Sequence, residues 1–165
     1  MMAKLDNIKI LVNPKITPNQ LYSFYVRNHI CEEGFGKDIA SRVLNKSSLI
    51  IGAFERNKLV GIARAMFDGL SADIMEFCLE LRYQGSGLKY SNGSLIEKDS
   101  FGIGKKMGKI LIDELIKMRA TFFTAYIVEN CEEQFYKSIG FEHNKGHLVY
   151  FIERRSYTIK KSKKP

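Results

Sequence analysis

The stretch YQGSGLKYSNGSLIEKDSFGIGKKMG, residues 83–108, holds two glycine clusters separated by a polar run. Each cluster has the look of half a phosphate-binding loop, and neither is complete. Glycines also serve turns and tight packing, so the clusters alone decide little. Their flanks decide more. DIMEFCLEL (73–81) reads as a strand, and GKKMGKILIDELIKMRA (104–120) reads as a long helix with Met107, Ile110, Leu111, Leu115 and Met118 at helical spacing. The first N–H groups of a helix lack intrahelical partners and carry partial positive charge, which favours an anion. Lys105 and Lys106 add charge beside them. Gly108 lies inside the helix at a cost of about 1 kcal/mol relative to Ala. Gly104 shares its face, so a close neighbour is expected there.

The spacing excludes the common nucleotide loops. There is no GxxxxGK[ST], and no GxGxxG followed by an acid about 20 residues on. Removing residues 87–101 on paper leaves RYQGSGIGKKMGKIL, an unbroken Q-x-x-G-x-G loop running into its helix. Gly87 and Gly102 are interchangeable in that excision, with Gly102 preferred because it stands nearer the helix. The removed residues are rich in Ser, Asn, Gly and charge. They read as a surface excursion, or alternatively as a lid over a substrate.

Outward from the loop, the rest of the chain supplies strands and short helices. IKILV (8–12) is β-rich. Thr17, Pro18 and Gln20 form the start of a helix, a cap, a first-position proline and the partner of a capping box. DIASRVLNKS (38–47) reads as a second helix after the loop EEGFG. SLIIGAFE (48–55) and KLVGIARAMF (58–67) form a hairpin across Arg56–Asn57, and residues 73–81 add a third consecutive strand. In that strand Glu76, Cys78 and Glu80 should share one face, with Met75, Phe77, Leu79 and Leu81 on the other. TFFTAYIVE (121–129) is a strand, NCEEQFYKSIGF (130–141) contains a short helix, and HLVYFIE (147–153) is a last strand. The order implies an α/β chain with a mixed sheet and helices on both faces.

Composition bounds the remaining classes. The 165 residues are expected to form one domain over 1–153. Of the 26 Lys and Arg, six fall in RRSYTIKKSKKP (154–165) without an acid, leaving 20 against 18 carboxylates. The +8 formal charge is therefore a basic tail and not a folded basic face, which disfavours nucleic acid as the partner. No apolar run approaches the roughly 18 residues of a membrane span. No export signal is read, so a cytoplasmic chain with reduced Cys31, Cys78 and Cys131 is expected. His143 and His147 lie in a Gly-interrupted, strand-like setting, and no metal is expected.

With these motifs assembled, the chain resembles the GCN5-related N-acetyltransferase (GNAT) family over roughly residues 5–153. The resemblance is carried by VGIARAMFDG in the hairpin, by ADIMEFCLELRYQG running into the loop, and by NCEEQFYKSIGF, the most specific piece. It implies an acyl-CoA N-acyltransferase fold, a mostly antiparallel central sheet whose fourth and fifth strands splay apart. It also implies acetyl-CoA as cosubstrate. Its pyrophosphate would lie on Gly102, Ile103, Gly104 and Lys105, with Gln84, Gly85 and Ser86 on the near side, and its pantetheine arm alongside Cys78, Leu79 and Asn130. The departure from the family pattern is the insertion at 87–101.

Acetyl transfer to an amine requires a deprotonated nucleophile, a stabilised oxyanion and a proton for the departing thiolate. The resemblance gives Tyr136 the general-acid position, against a plain role as a core aromatic. Glu76 and Glu80 are the candidate bases or cation-binding groups, since unpaired carboxylates on a central strand are costly to bury. Structural ion pairing is the alternative for each. Cys78 has no histidine in matching context, which favours direct attack in a ternary complex over an acetyl-cysteine. The acceptor expected is a primary amine of a small molecule or peptide. A different acyl group is a second enzyme reading, and a non-catalytic module binding through the basic tail is a third. Oligomeric state is left open, a homodimer included.

Overall fold

Five strands form one sheet in the order β1-β2-β3-β4-β5, and the chain visits them in sequence. They are β1 (Ile8–Val12), β2 (Leu49–Glu55), β3 (Lys58–Phe67), β4 (Ser71–Leu79) and β5 (Phe122–Ala125). This computed structural model describes residues 7–30 and 36–152. Cys31, Phe35, Glu153 and the basic tail lie outside the described residues. The first four strands are an antiparallel meander, and β5 joins β4 in parallel after a helical crossover. The sheet is mixed, as the sequence led one to expect.

Helices cover both faces. Helices α1 (Pro18–Arg27) and α2 (Lys37–Lys46) lie on one side, where Leu21, Phe24, Ile50, Phe54, Ile62 and Cys78 form a buried cluster. Helix α3 (Leu81–Gln84) is a single turn after β4. On the opposite face, α4 (Ile103–Lys117) and α5 (Glu133–Ser138) bury Ile51, Ala63, Phe77, Met107, Leu111 and Phe135. Covering both faces explains why β2 and β3 read as nearly continuous apolar runs.

Helix α1 begins as its sequence dictates. The Thr17 hydroxyl accepts from the Gln20 N–H at 3.1 Å, and the Gln20 side chain accepts from the Thr17 N–H at 2.9 Å. Thr17→Ala is expected to cost about 1 kcal/mol in chemical denaturation. The two helical glycines of α4 also do what their spacing predicts. A Cβ on Gly108 would come within 2.9 Å of the Ile139 side chain, and one on Gly104 within 3.0 Å of the Phe135 ring. Helix α5 therefore seats directly on the backbone of α4.

Several sequence expectations fail: Leu81 opens α3 and does not end β4, and β5 stops at Ala125, short of residue 129. Met75 does not share the face of Phe77 and Leu79; it is 56% exposed. Arg64 pairs with Glu76 and Ala65 with Ile74, so Met75 is the extra residue of a β-bulge that shifts the alternation of β4. The last strand expected over 147–153 is also absent from residues 147–152, which carry no strand and leave Leu148 to Ile152 at 69–89% exposure. A strand needs a paired edge as well as strand-forming residues. β5 is four residues long, and among the described residues only β4 pairs with it.

Candidate functional site

The site begins where the sheet opens. β5 pairs with β4 only between Ser71 and Ile74, while β4 continues to Leu79. From Glu76 to Leu79, among the described residues, no strand pairs with β4 on that side, and the two strands part into a wedge. Residues 93–96 lie in it. The Leu79 N–H donates to the Gly93 carbonyl at 2.9 Å, and the Gly93 N–H donates to the Asn28 carbonyl at 2.8 Å. Ile96 is fully buried within the main core. Its N–H donates to Glu132 Oε1 at 3.2 Å, and the Val128 N–H donates to Glu132 Oε2 at 3.0 Å. Glu132 thus ties the turn after β5 to the inserted segment.

That segment ends at the N-terminus of α4. Gly102 is the N-cap of the helix, in left-handed backbone at φ 70°. The Asp99 carboxylate accepts from the Gly104 N–H at 2.9 Å and from the Lys105 N–H at 2.7 Å. Gln84 is wholly buried beneath the segment. Its side-chain Oε1 accepts from the Glu97 N–H at 3.0 Å, its Nε2 donates to the Leu79 carbonyl, and its own carbonyl accepts from the Ser100 hydroxyl at 2.7 Å. Gly85, at φ 121°, lies against Ser100, and the Ser86 carbonyl accepts from Lys98 Nζ at 2.6 Å.

Residues 87–101 are in part a surface excursion, with Gly87, Lys89, Tyr90, Ser91, Lys98 and Ser100 exposed, but Gly93 and Ile96 within them are buried. A hydrophilic composition hides one apolar side chain, Ile96, that is buried completely, and one acid, Asp99, that satisfies a helix end. The donor set of Gly104 and Lys105 is that of an anion cradle. In this conformation it is engaged by Asp99, and those two N–H groups cannot simultaneously receive a pyrophosphate.

Beside the wedge lies a cavity of about 110 Å³ bordered by Glu76, Phe77, Ser94, Glu132 and Tyr136. Tyr136 reaches it from α5, its ring edge-on to Phe77 and Phe141 at centroid distances of 6.4 and 5.5 Å. Burial, with the Glu132 charge adding to it, holds the Tyr136 phenol far above the ordinary tyrosine range, so it stays protonated. Burial also raises the Glu132 carboxyl. The sequence reading passed over Glu132. Its signal was an acid just ahead of a short helix, which does not say whether that acid turns inward.

The two strand carboxylates part company. Glu76 borders the cavity, with its Oε2 accepting from the Tyr25 hydroxyl at 2.7 Å and from Arg64 Nε, and its Oε1 accepting from the Cys78 thiol at 3.1 Å. Glu80 does not border it. It is buried among three cations, with Arg27 at 3.3 Å, Lys58 at 3.0 Å and Arg82 at 3.1 Å. Burial and then the Glu76 charge push the Cys78 thiol well up, which leaves it a poor nucleophile. Asn130, at φ 61°, sits exposed in the turn between β5 and α5, away from the cavity lining. Among the described residues, no group of His, Cys, Asp and Glu converges as a metal site, and no helix is long and apolar enough to cross a membrane.

No protein-family model matches the chain, and no curated protein matches it in sequence. Its structure is similar to that of many solved proteins. One from meticillin-resistant Staphylococcus aureus shares 12% identity over 89% of this chain and 99% of its own, with a TM-score of 0.66. A GNAT family acetyltransferase from Streptococcus pneumoniae TIGR4 shares 19% identity over 90% and 99%, with a TM-score of 0.63. AAC(6')-Iy, solved with the bisubstrate analogue CoA-S-monomethyl-acetylneamine, shares 10% identity over 90% and 99%, with a TM-score of 0.62.

Proposed function

Because the chain has the fold of the GCN5-related N-acetyltransferases, we propose that it transfers the acetyl group of acetyl-CoA to a primary amine of a small molecule or peptide. The observation that carries this reading is the meeting of Tyr136 and Glu76 on one cavity beside the wedge between β4 and β5. A buried phenol that keeps its proton can supply it, and a carboxylate on the same cavity attracts an ammonium ion.

The roles follow from the chemistry. The acceptor enters as an ammonium ion, and Glu76, directly or through water, takes its proton. The free amine attacks the thioester carbonyl carbon, forming the C–N bond. The tetrahedral intermediate collapses with cleavage of the C–S bond, the Tyr136 phenol gives its proton to the departing thiolate, and the proton shed by the acylated nitrogen returns, directly or through water, to the Tyr136 oxygen. The products are an acetamide and free CoA thiol. Glu80 holds Arg27, Lys58 and Arg82 together at the end of β4 and does not enter the reaction in this scheme. AAC(6')-Iy binds an analogue that joins CoA to an amine-bearing acceptor, which supports a small-molecule amine here.

The test is release of free thiol from acetyl-CoA against a panel of aminoglycosides, polyamines and peptide N-termini. Thiol release that depends on one class of amine is expected. Silence across the panel, with nucleic-acid binding that disappears when residues 154–165 are deleted, would replace the enzyme with a binding module.

A further inference from the structure

We propose that residues 93–99 are an internal stand-in for acyl-CoA, occupying the groove of the donor and yielding it only when the segment 87–101 swings out. This rests on the acyl-CoA reading above and adds a control element to it. Three contacts carry it, each matching a different part of the chemistry of such a donor. At one end the Asp99 carboxylate sits on the Gly104 and Lys105 N–H groups, where a helix N-terminus would hold the oxygens of a diphosphate. In the middle, Ile96 is buried in the main core with no exposed surface, its N–H on Glu132 in the turn after β5. At the other end the Gly93 carbonyl accepts from the Leu79 N–H, the bond an amide of an extended arm would make to an open strand edge.

The segment is also built to move as one piece. The Glu97 carboxylate accepts from the backbone N–H groups of Lys89, Tyr90 and Ser91, at 2.6, 3.0 and 3.1 Å, which folds residues 89–97 upon themselves. The segment is held by one apolar anchor, Ile96, and by discrete polar contacts: Gly93 to Leu79 and Asn28, Ile96 to Glu132, Glu97 and Ser100 to Gln84, Lys98 to Ser86, and Asp99 to α4. Donor and segment compete for the same N–H groups, so the apparent affinity for CoA is lowered by the fraction of molecules in which the segment is seated.

The experiment measures equilibrium binding of CoA by calorimetry to the wild type, Asp99→Asn and Ile96→Ala, with amide hydrogen exchange across residues 87–105 in the same samples. The variants are expected to bind CoA about three- to tenfold more tightly, the range set by losing one capping contact. Saturating CoA should accelerate exchange at the Ile96 amide in the wild type. Unchanged affinity in both variants, with residues 93–99 still protected in the CoA complex, would overturn the proposal and leave the acetyltransferase reading standing. Failure of every form to bind CoA, including one lacking 87–101, would instead overturn the acyl-CoA reading and this inference together. Exchange in the wild type decides the matter even if Ile96→Ala fails to fold.

Discussion

Tyr136→Phe is expected to lower turnover by about a hundredfold, the lower end of what a positioned general acid contributes. The loss should fall on kcat, with CoA affinity unchanged in calorimetry. The substitution removes one oxygen and keeps the ring, whose edge contact with Phe77 joins α5 to β4 and whose contacts with Phe135 and Phe141 are local to α5 and its C-terminal turn. Stability should accordingly move little in urea. The pH profile gives a second check. Because burial and Glu132 keep the phenol protonated beyond its ordinary value of about 10, Tyr136 should cause no decline in turnover as pH rises to about 9 or 10. A variant as fast as the wild type would remove Tyr136 from the chemistry and return it to the core.

The largest loss of stability is expected at Arg64. Its guanidinium bonds to Glu76 through Nε and to the Ser47 hydroxyl through Nη1 at 2.9 Å, and the two ion-pair side chains are only 12% and 10% exposed. Removing one member of such a pair leaves a desolvated charge behind, so Arg64→Met should cost about 3–5 kcal/mol in denaturant unfolding. The companion variant Arg64→Met with Glu76→Gln should recover much of this, because it removes the stranded charge as well. By contrast, breaking the exposed Lys109–Asp113 pair on α4 should cost well under about 1 kcal/mol. If the single and double variants at Arg64 and Glu76 lost equal stability, the cost would lie in packing and not in charge.

The parts of the fold legible in the sequence are those decided locally. Thr17, Pro18 and Gln20 announce α1 because capping is a contact between residues three apart. Gly104 and Gly108 announce a close neighbour on α4 because only a tight approach offsets helical glycine, and Phe135 and Ile139 are that neighbour. The illegible parts are decided by competition at a distance. The bulge at Met75 depends on register against β3, which no property of Met75 encodes. Glu76 and Glu80 look alike on one strand, yet Arg27, Lys58 and Arg82 converge on Glu80 from three separate places in the chain. The segment 87–101 reads as exposed because one buried isoleucine is lost in a polar average. Residues 147–152 show the reverse error, since strand-forming side chains do not create an edge to pair with.

The seating of α5 on the glycines of α4 has a mechanical consequence. With the Phe135 side chain against Gly104 and the Ile139 side chain against Gly108, α4 contributes no side chain of its own at these two contacts. The N–H groups that open α4 and the phenol on α5 are thereby held close to one another through Phe135 and Ile139. Under the acyl-transfer reading proposed above, their separation would act as a gauge for the length of the donor, measured from its diphosphate end to the reacting carbonyl. A donor whose arm is too short or too long would meet that gauge out of step with Tyr136, however well each of its ends were held.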